Sequence, residues 1–264
     1  MRELKRVPPN KGIEKEYKRN LNKLVQAMSA SVMYWVLADF GNRTANEMAN
    51  AIRKRVRQWD KIFGKDAERI AKWFVKSVQK QTETGMAQAF KDVGRKMKPT
   101  PTHVVKAIEM ENVELIKSIP QKYFIGIREV ALLSLMYDWS KEKLNEELVK
   151  RKGIVERRVK NIASDQTHKT TELIKVALCE NNKIYFGRWK YTYQAEQPRL
   201  NHIQMDGMLF DVREGCPEVG TGELIQPSFR YNCHCDFNPV IPEFDEDLHK
   251  EVEKQVFYKR LVRF

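Results

Sequence analysis

Glu180-Asn181-Asn182, followed by Tyr185-Phe186-Gly187-Arg188-Trp189-Lys190-Tyr191-Thr192-Tyr193, divides this 264-residue chain into two textures. Before it, apolar residues recur at three- and four-residue spacing, the mark of a helix with one buried face. Within it, aromatic residues alternate with others, which suits a strand. Beyond it, turns at Asp206-Gly207 and Gly220-Thr221-Gly222 break short extended pieces that continue to Pro242. The fold class read from this change is α+β, a mostly α-helical N-terminal region followed by a small mixed α/β C-terminal domain. Tyr185, Phe186, Trp189, Tyr191 and Tyr193 could stack bases, but they read better as the core of that small sheet.

Working towards the N-terminus, residues 13–180 read as a basic helical region. Helices are expected from about Ile13 to Phe40, from Asn46 to Phe63, and along Ile70, Phe74, Val78, Phe90, Val93 and Met97. Pro99 and Pro101 punctuate the chain, and Thr102 caps a helix to Ile119. Pro120 separates it from an apolar helix, Tyr123 to Trp139. Ser140 opens another that ends at Gly153, and a last one covers about Val155 to Cys179. Residues 1–12, with Pro8-Pro9 and four Lys or Arg side chains, read as a basic arm. Towards the C-terminus, Phe244, Leu248, Val252, Val256 and Leu261 give helical spacing. Residues 181–264 therefore read as one domain with a closing helix over 244–262.

The chain is 42% hydrophobic and 31% charged with only 12 Gly and 10 Pro, which excludes collagen-like, low-complexity and wholly disordered classes. Its net charge is +13, and the excess is confined to one part: residues 1–160 carry 35 basic and 19 acidic side chains, the remainder 13 and 16. A polyanion is the partner such a surface fits. Arg53, Lys54, Arg55 and Arg57 are its densest cluster, a candidate DNA-binding site whose alternative is a plain solvated face. The longest uncharged stretch, Leu24 to Ala38, is too short and too polar to span a bilayer. The N-terminus has no apolar segment of the secretory kind, so folding in a reducing cytoplasm is expected.

A reducing compartment turns attention from disulfides to metal or free thiols for Cys179, Cys216, Cys233 and Cys235. Three of these lie near His202 and His234, and zinc takes that ligand type and number. If Cys233-His234-Cys235 is extended, its thiols share one side and His234 takes the other. His202, Cys216, Cys233 and Cys235 are the candidate zinc ligands; the alternative is buried apolar packing of the thiols. Cys179, on a helical pattern, reads as core.

Arg188-Trp189, Pro198-Arg199-Leu200-Asn201-His202-Ile203-Gln204-Met205-Asp206-Gly207, then Pro227, Asn232-Cys233-His234-Cys235 and Pro239-Val240 together resemble the phage Mu F-like head-morphogenesis family, the minor head or minor capsid proteins. That family's motif has Arg and His three residues apart, Gly five residues after the His, and a later Asn-Cys-Arg-Cys leading to Pro-Val. Arg199, His202, Gly207, Asn232, Cys233 and Cys235 match it, while His234 stands where Arg is usual. The resemblance covers about residues 185–242. It implies a non-enzymatic virion protein, made in the host cytoplasm and placed in the head interior or portal region. The implied partners are portal protein, major capsid protein and packaged double-stranded DNA, with no membrane.

Two other readings of the residues stand beside it. One is a metal- or histidine-dependent nuclease using His202 and His234 as acid and base, Arg199 on a phosphate, and Asp206, Asp211 or Asp236 nearby. The other is a DNA-binding module that grips backbone phosphates without reading sequence.

Overall fold

Four long helices hold most of the residues between Lys11 and Asn181: α1 (Lys11–Ala38), α2 (Ala45–Lys91), α3 (Thr102–Met136) and α4 (Lys141–Asn181). The structure is a computed structural model that describes residues 1–38, 40–42, 44–192, 198–242 and 248–261. Three interruptions expected from the sequence are absorbed into these helices. Gly64 sits inside α2, Pro120 inside α3 and Gly153 inside α4. An interior Gly costs a helix about 1 kcal/mol and an interior Pro about 3. The apolar row outweighs both: Trp59, Phe63, Ala67, Ile70 and Phe74 are buried across the glycine, and Ile116, Ile119, Tyr123 and Ile127 across the proline. Where the chain does break, side chains take up the free amides. Asn10 Oδ1 accepts from Gly12 and Ile13, Thr44 and Glu47 form a reciprocal capping box, and Ser140 Oγ accepts from Lys143 N–H.

The residues fall into two compact units, one of 14–74 and 109–163, the other of 1–13, 75–108 and 164–264. One boundary, between residues 13 and 14, falls beside the end of the expected arm at residue 12, and none falls at residue 180. The first unit is helical, with an apolar interior in which Tyr17 stacks on Phe74 at 4.0 Å between ring centroids.

The second unit contains the β structure. Strands β1 (Arg2–Glu3), β2 (Phe186–Lys190), β3 (Leu209–Asp211) and β6 (Asp236–Ile241) form an antiparallel sheet in the order β1-β6-β2-β3. A second pair joins β4 (Cys216–Pro217) to β5 (Leu224–Ile225). The aromatic stretch therefore supplies the strand, and Trp189 is wholly buried in its core; Tyr193 lies outside the described residues. Gly187 is required there because a Cβ would come within 2.7 Å of the Phe237 ring.

The N-terminal segment is not a free arm. Arg2 and Glu3 pair with Ile241 and Val240, and Leu4 and Val7 are buried. Backbone pairing along the edge of β6 and two apolar anchors hold what its charge alone would leave in water. The closing helix is α6 (Leu248–Leu261); Leu248 packs with Phe186, Leu209 and Val240. Phe244, and the side chains of Val256 and Leu261, lie outside the described residues.

Candidate functional site

The short helix α5 (Leu200–Gln204) carries His202, which is buried against the edge of Trp189, 5.6 Å between ring centroids. The Sγ atoms of Cys233 and Cys235 each lie 3.4 Å from His202 Nδ1. The three donor atoms are all within 4.8 Å of one another, and the three residues are 1%, 2% and 3% exposed.

Local geometry explains the convergence. Asn232 has φ 55°, a left-handed conformation that Asn tolerates, and its N–H donates to Asp165 Oδ1 at 2.9 Å. Cys233 N–H closes the turn on the Arg230 carbonyl. The next residues are extended, so the two thiols face His202 while His234 faces α4. There His234 meets Ser164 Oγ at 3.3 Å and the His168 ring at 4.3 Å between centroids. Arg199 donates to the Tyr231 carbonyl at 2.8 Å, tying the start of α5 to the cysteine turn. Gly207, at φ 78°, completes the turn after α5, and its N–H donates to the Trp189 carbonyl.

His202 is held from behind as well. Its Nε2 is 3.3 Å from Glu218 Oε1, and Glu218 also accepts from Asn201 Nδ2, Thr221 Oγ1 and Arg230. Burial raises the Glu218 carboxyl, but the bonds from Arg230 and Thr221 and the Arg230 charge outweigh it, so the group is held below its usual range. The two thiols are driven apart. Hydrogen bonding with Cys235 and His202 pulls Cys233 down to about 4, whereas the neighbouring Cys233 and burial push Cys235 up.

Cys216 is not part of the trio. It lies in β4, buried and paired in register with Ile225. Cys179 is core, its thiol pushed up to about 12 by burial.

The groups of the nuclease reading are spread over other tasks. His234 is turned away from the thiols and Arg199 is engaged by backbone. Asp206 accepts from Tyr191 N–H, Asp211 pairs with Arg213, and Asp236 is bound by Lys175 and Arg6.

The basic cluster on α2 is also redistributed. Arg53, Lys54 and Arg57 share one exposed face with Asn50, Gln58 and Lys61, lining an open concavity of about 810 Å³. Arg55 leaves this face: its guanidinium lies 5.7 Å from the centre of the Trp35 ring, and it donates to Gln58. Lys61 and Lys65 continue the four-residue spacing of Arg53 and Arg57. None of Arg53, Arg57, Lys61 and Lys65 forms an ion pair among the described residues.

Sequence reasoning missed Glu218, Asp165 and the Glu172–Lys175 pair. Glu172 and Lys175, three apart on α4, were legible as an i,i+3 pair, but nothing in their spacing shows that both are wholly buried. Glu218 and Asp165 carry no motif.

These observations define an α+β protein with a buried His-Cys-Cys cluster in its sheet-bearing unit and an exposed basic face on α2 in its helical unit. Residues 126–238 match the phage Mu protein F like protein family, so this segment of the chain is phage Mu F-like. The match begins within α3 and includes all of α4, well before the residues that carry the sequence resemblance. A Haemophilus influenzae protein described as uncharacterized is 24% identical over 258 residues, covering 91% of this chain and 56% of its own length. The chain thus spans about half the length of that curated relative. No solved structure matches. Among the described residues, no helix is long and apolar enough to cross a membrane.

Proposed function

We propose that the chain is a minor head component of a phage, acting in head morphogenesis at or near the portal and touching packaged double-stranded DNA through α2. The phage Mu F-like match over residues 126–238 carries this reading. Its role is structural rather than catalytic, and its place is the virion, in the head interior or portal region, after assembly in the host cytoplasm.

The α2 face supports the DNA contact. Arg53, Arg57, Lys61 and Lys65 recur every four residues, about 6 Å of helix rise per step, and successive phosphates of one strand can be met by such a row without base contacts. On α3, the exposed apolar residues Ile125, Leu132 and Met136 lie along one helix face, a surface that a portal or capsid protein would cover.

The deciding experiment follows the chain into particles. Tagged protein expressed during phage assembly should be recovered in purified heads at low copy and should copurify with the portal protein. Heads assembled normally without it, or its absence from purified heads, would overturn the proposal.

A further inference from the structure

We infer that His202 Nδ1 and the thiolates of Cys233 and Cys235 hold one zinc ion, with Glu218 fixing the His202 ring from behind. This centre does not depend on the head-protein reading, since it follows from the side-chain geometry alone.

Distances carry the argument first. Zinc bonds of about 2.3 Å to sulfur and about 2.0–2.1 Å to nitrogen, set at tetrahedral angles, separate a ligand S from a ligand N by about 3.5 Å. Both Cys Sγ to His202 Nδ1 separations are 3.4 Å. As an acceptor, neutral Nδ1 has a single lone pair and serves one S–H only. One cation facing three donors accounts for both distances at once.

The second argument is orientation. A metal-bound imidazole directs its other N–H to a carboxylate or carbonyl, which fixes the tautomer. Glu218 Oε1 is 3.3 Å from Nε2, and Arg230, Thr221 and Asn201 hold that carboxylate in place. With Nε2 donating to Glu218, Nδ1 presents its lone pair to the sulfurs.

The third is burial. The trio is almost sealed from solvent, and a buried thiolate needs a countercharge. Both cysteines are free rather than disulfide-bonded. The ion would tie α5 to the turn entering β6, two segments about thirty residues apart that are also joined by the Arg199 bond to Tyr231 and through Glu218, which binds Asn201, His202 and Arg230.

The test uses the full chain purified without chelator. Elemental analysis should give about one zinc per chain. Replacement by cobalt should produce a thiolate-to-cobalt charge-transfer band together with the intense visible bands of a tetrahedral ion. Cys216→Ser should keep full stoichiometry, whereas Cys233→Ser and His202→Ala should lose it. Glu218→Gln should still bind zinc, with affinity lowered by about 10–100-fold in chelator competition. Should the ligand variants fail to fold, the wild-type zinc content and cobalt spectrum decide alone. Folded wild-type protein without stoichiometric zinc and without the cobalt–thiolate band would overturn the centre. So would a native mass lower by two hydrogens, which marks a Cys233–Cys235 disulfide. Loss of metal in Cys216→Ser would overturn the three-ligand set.

Discussion

The two compact units bury different chemistry. Among the described residues, the helical unit buries three polar side chains, Ser29, Asn112 and Ser134; the sheet-bearing unit buries fourteen, among them Glu172, Lys175, Asp236, His168, His202 and Glu218. Where long helices pack on one another, each repeats its apolar face every turn, so the interior needs only hydrocarbon. Seven of the fourteen lie on α4 between Gln166 and Lys175, in the unit whose strands of two to six residues offer little repeated apolar surface, and there specific polar contacts such as Lys175 with Asp236 of β6 take over the task. The difference teaches where charge is available for partners and where it is committed to the fold.

The sharpest way to break this contrast is at Lys175. Its ammonium is wholly buried, binds both Glu172 carboxylate oxygens at 3.1 Å and pairs with Asp236, which Arg6 also holds at 2.8 Å. Burial would lower the Lys175 pKa, but Asp236 and Glu172 raise it above the usual lysine value. For Asp236, burial raises the carboxyl while Lys175 and Arg6 pull it lower still, and Glu172 is pushed well up by burial and by the Asp236 charge. Lys175→Met removes the cation that the two buried carboxylates share, and should cost about 3–5 kcal/mol in denaturant unfolding. Arg19→Ala in the helical unit removes one partner of the exposed Arg19–Glu16 pair and should cost less than about 1 kcal/mol. Equal losses in the two variants would erase the distinction.

A smaller effect separates the units by pH. His168 is buried, neither ring nitrogen has a hydrogen-bond partner, and the imidazole is pulled down to about 3. Burial dominates, His234, Lys11 and Arg6 add to it, and Asp236 partly opposes it. The folded state keeps the ring neutral, whereas the unfolded chain titrates near the ordinary value of about 6.5. Between these two values the unfolded state binds more protons, so this stabilisation is complete above about pH 6.5 and falls away as the pH drops towards 3. His168→Leu loses no hydrogen bond and should flatten the slope of unfolding free energy between pH 7 and 4.5. An unchanged slope would assign the acid sensitivity to Asp236 and its neighbours.

The same contrast governs how much was legible in the sequence. Apolar periodicity revealed the helices, because it is a local signal, but the helix ends expected at Phe63, Pro120 and Gly153 are overrun by rows of buried residues that continue straight through them. The change of texture at Asn181-Asn182 and the aromatic alternation located the central strand. The alternation of Cys233-His234-Cys235 separated the thiols from His234, as the geometry has it. What failed was long-range. Nothing local told Cys216 from the true neighbours of His202, or showed that Arg2-Glu3 pairs with a strand more than 230 residues away. Arg55 was grouped with Arg53 and Arg57 by adjacency, although about 100° of helix turn per residue directs it to Trp35.

The smallest effect tests whether the α2 face is maintained for a partner. Arg53, Arg57, Lys61 and Lys65 form three like-charge pairs at i,i+4, each costing the helix about 0.2–0.5 kcal/mol. Without a partner, such a row only weakens α2. Lys61→Glu converts two of these pairs to attractive ones, the new carboxylate lying N-terminal to Lys65 in the favourable order. The variant should therefore be more stable by a few tenths to about 1 kcal/mol. Its nonspecific affinity for duplex DNA should fall, with the log–log salt slope reduced by about 0.9 or more, one phosphate contact being lost and a repulsion gained. Stability and binding moving in opposite directions would mark charge held on the helical unit at the expense of its own fold, the reverse of Lys175. A variant that gains stability and keeps its salt slope would reduce the face to ordinary solvated charge.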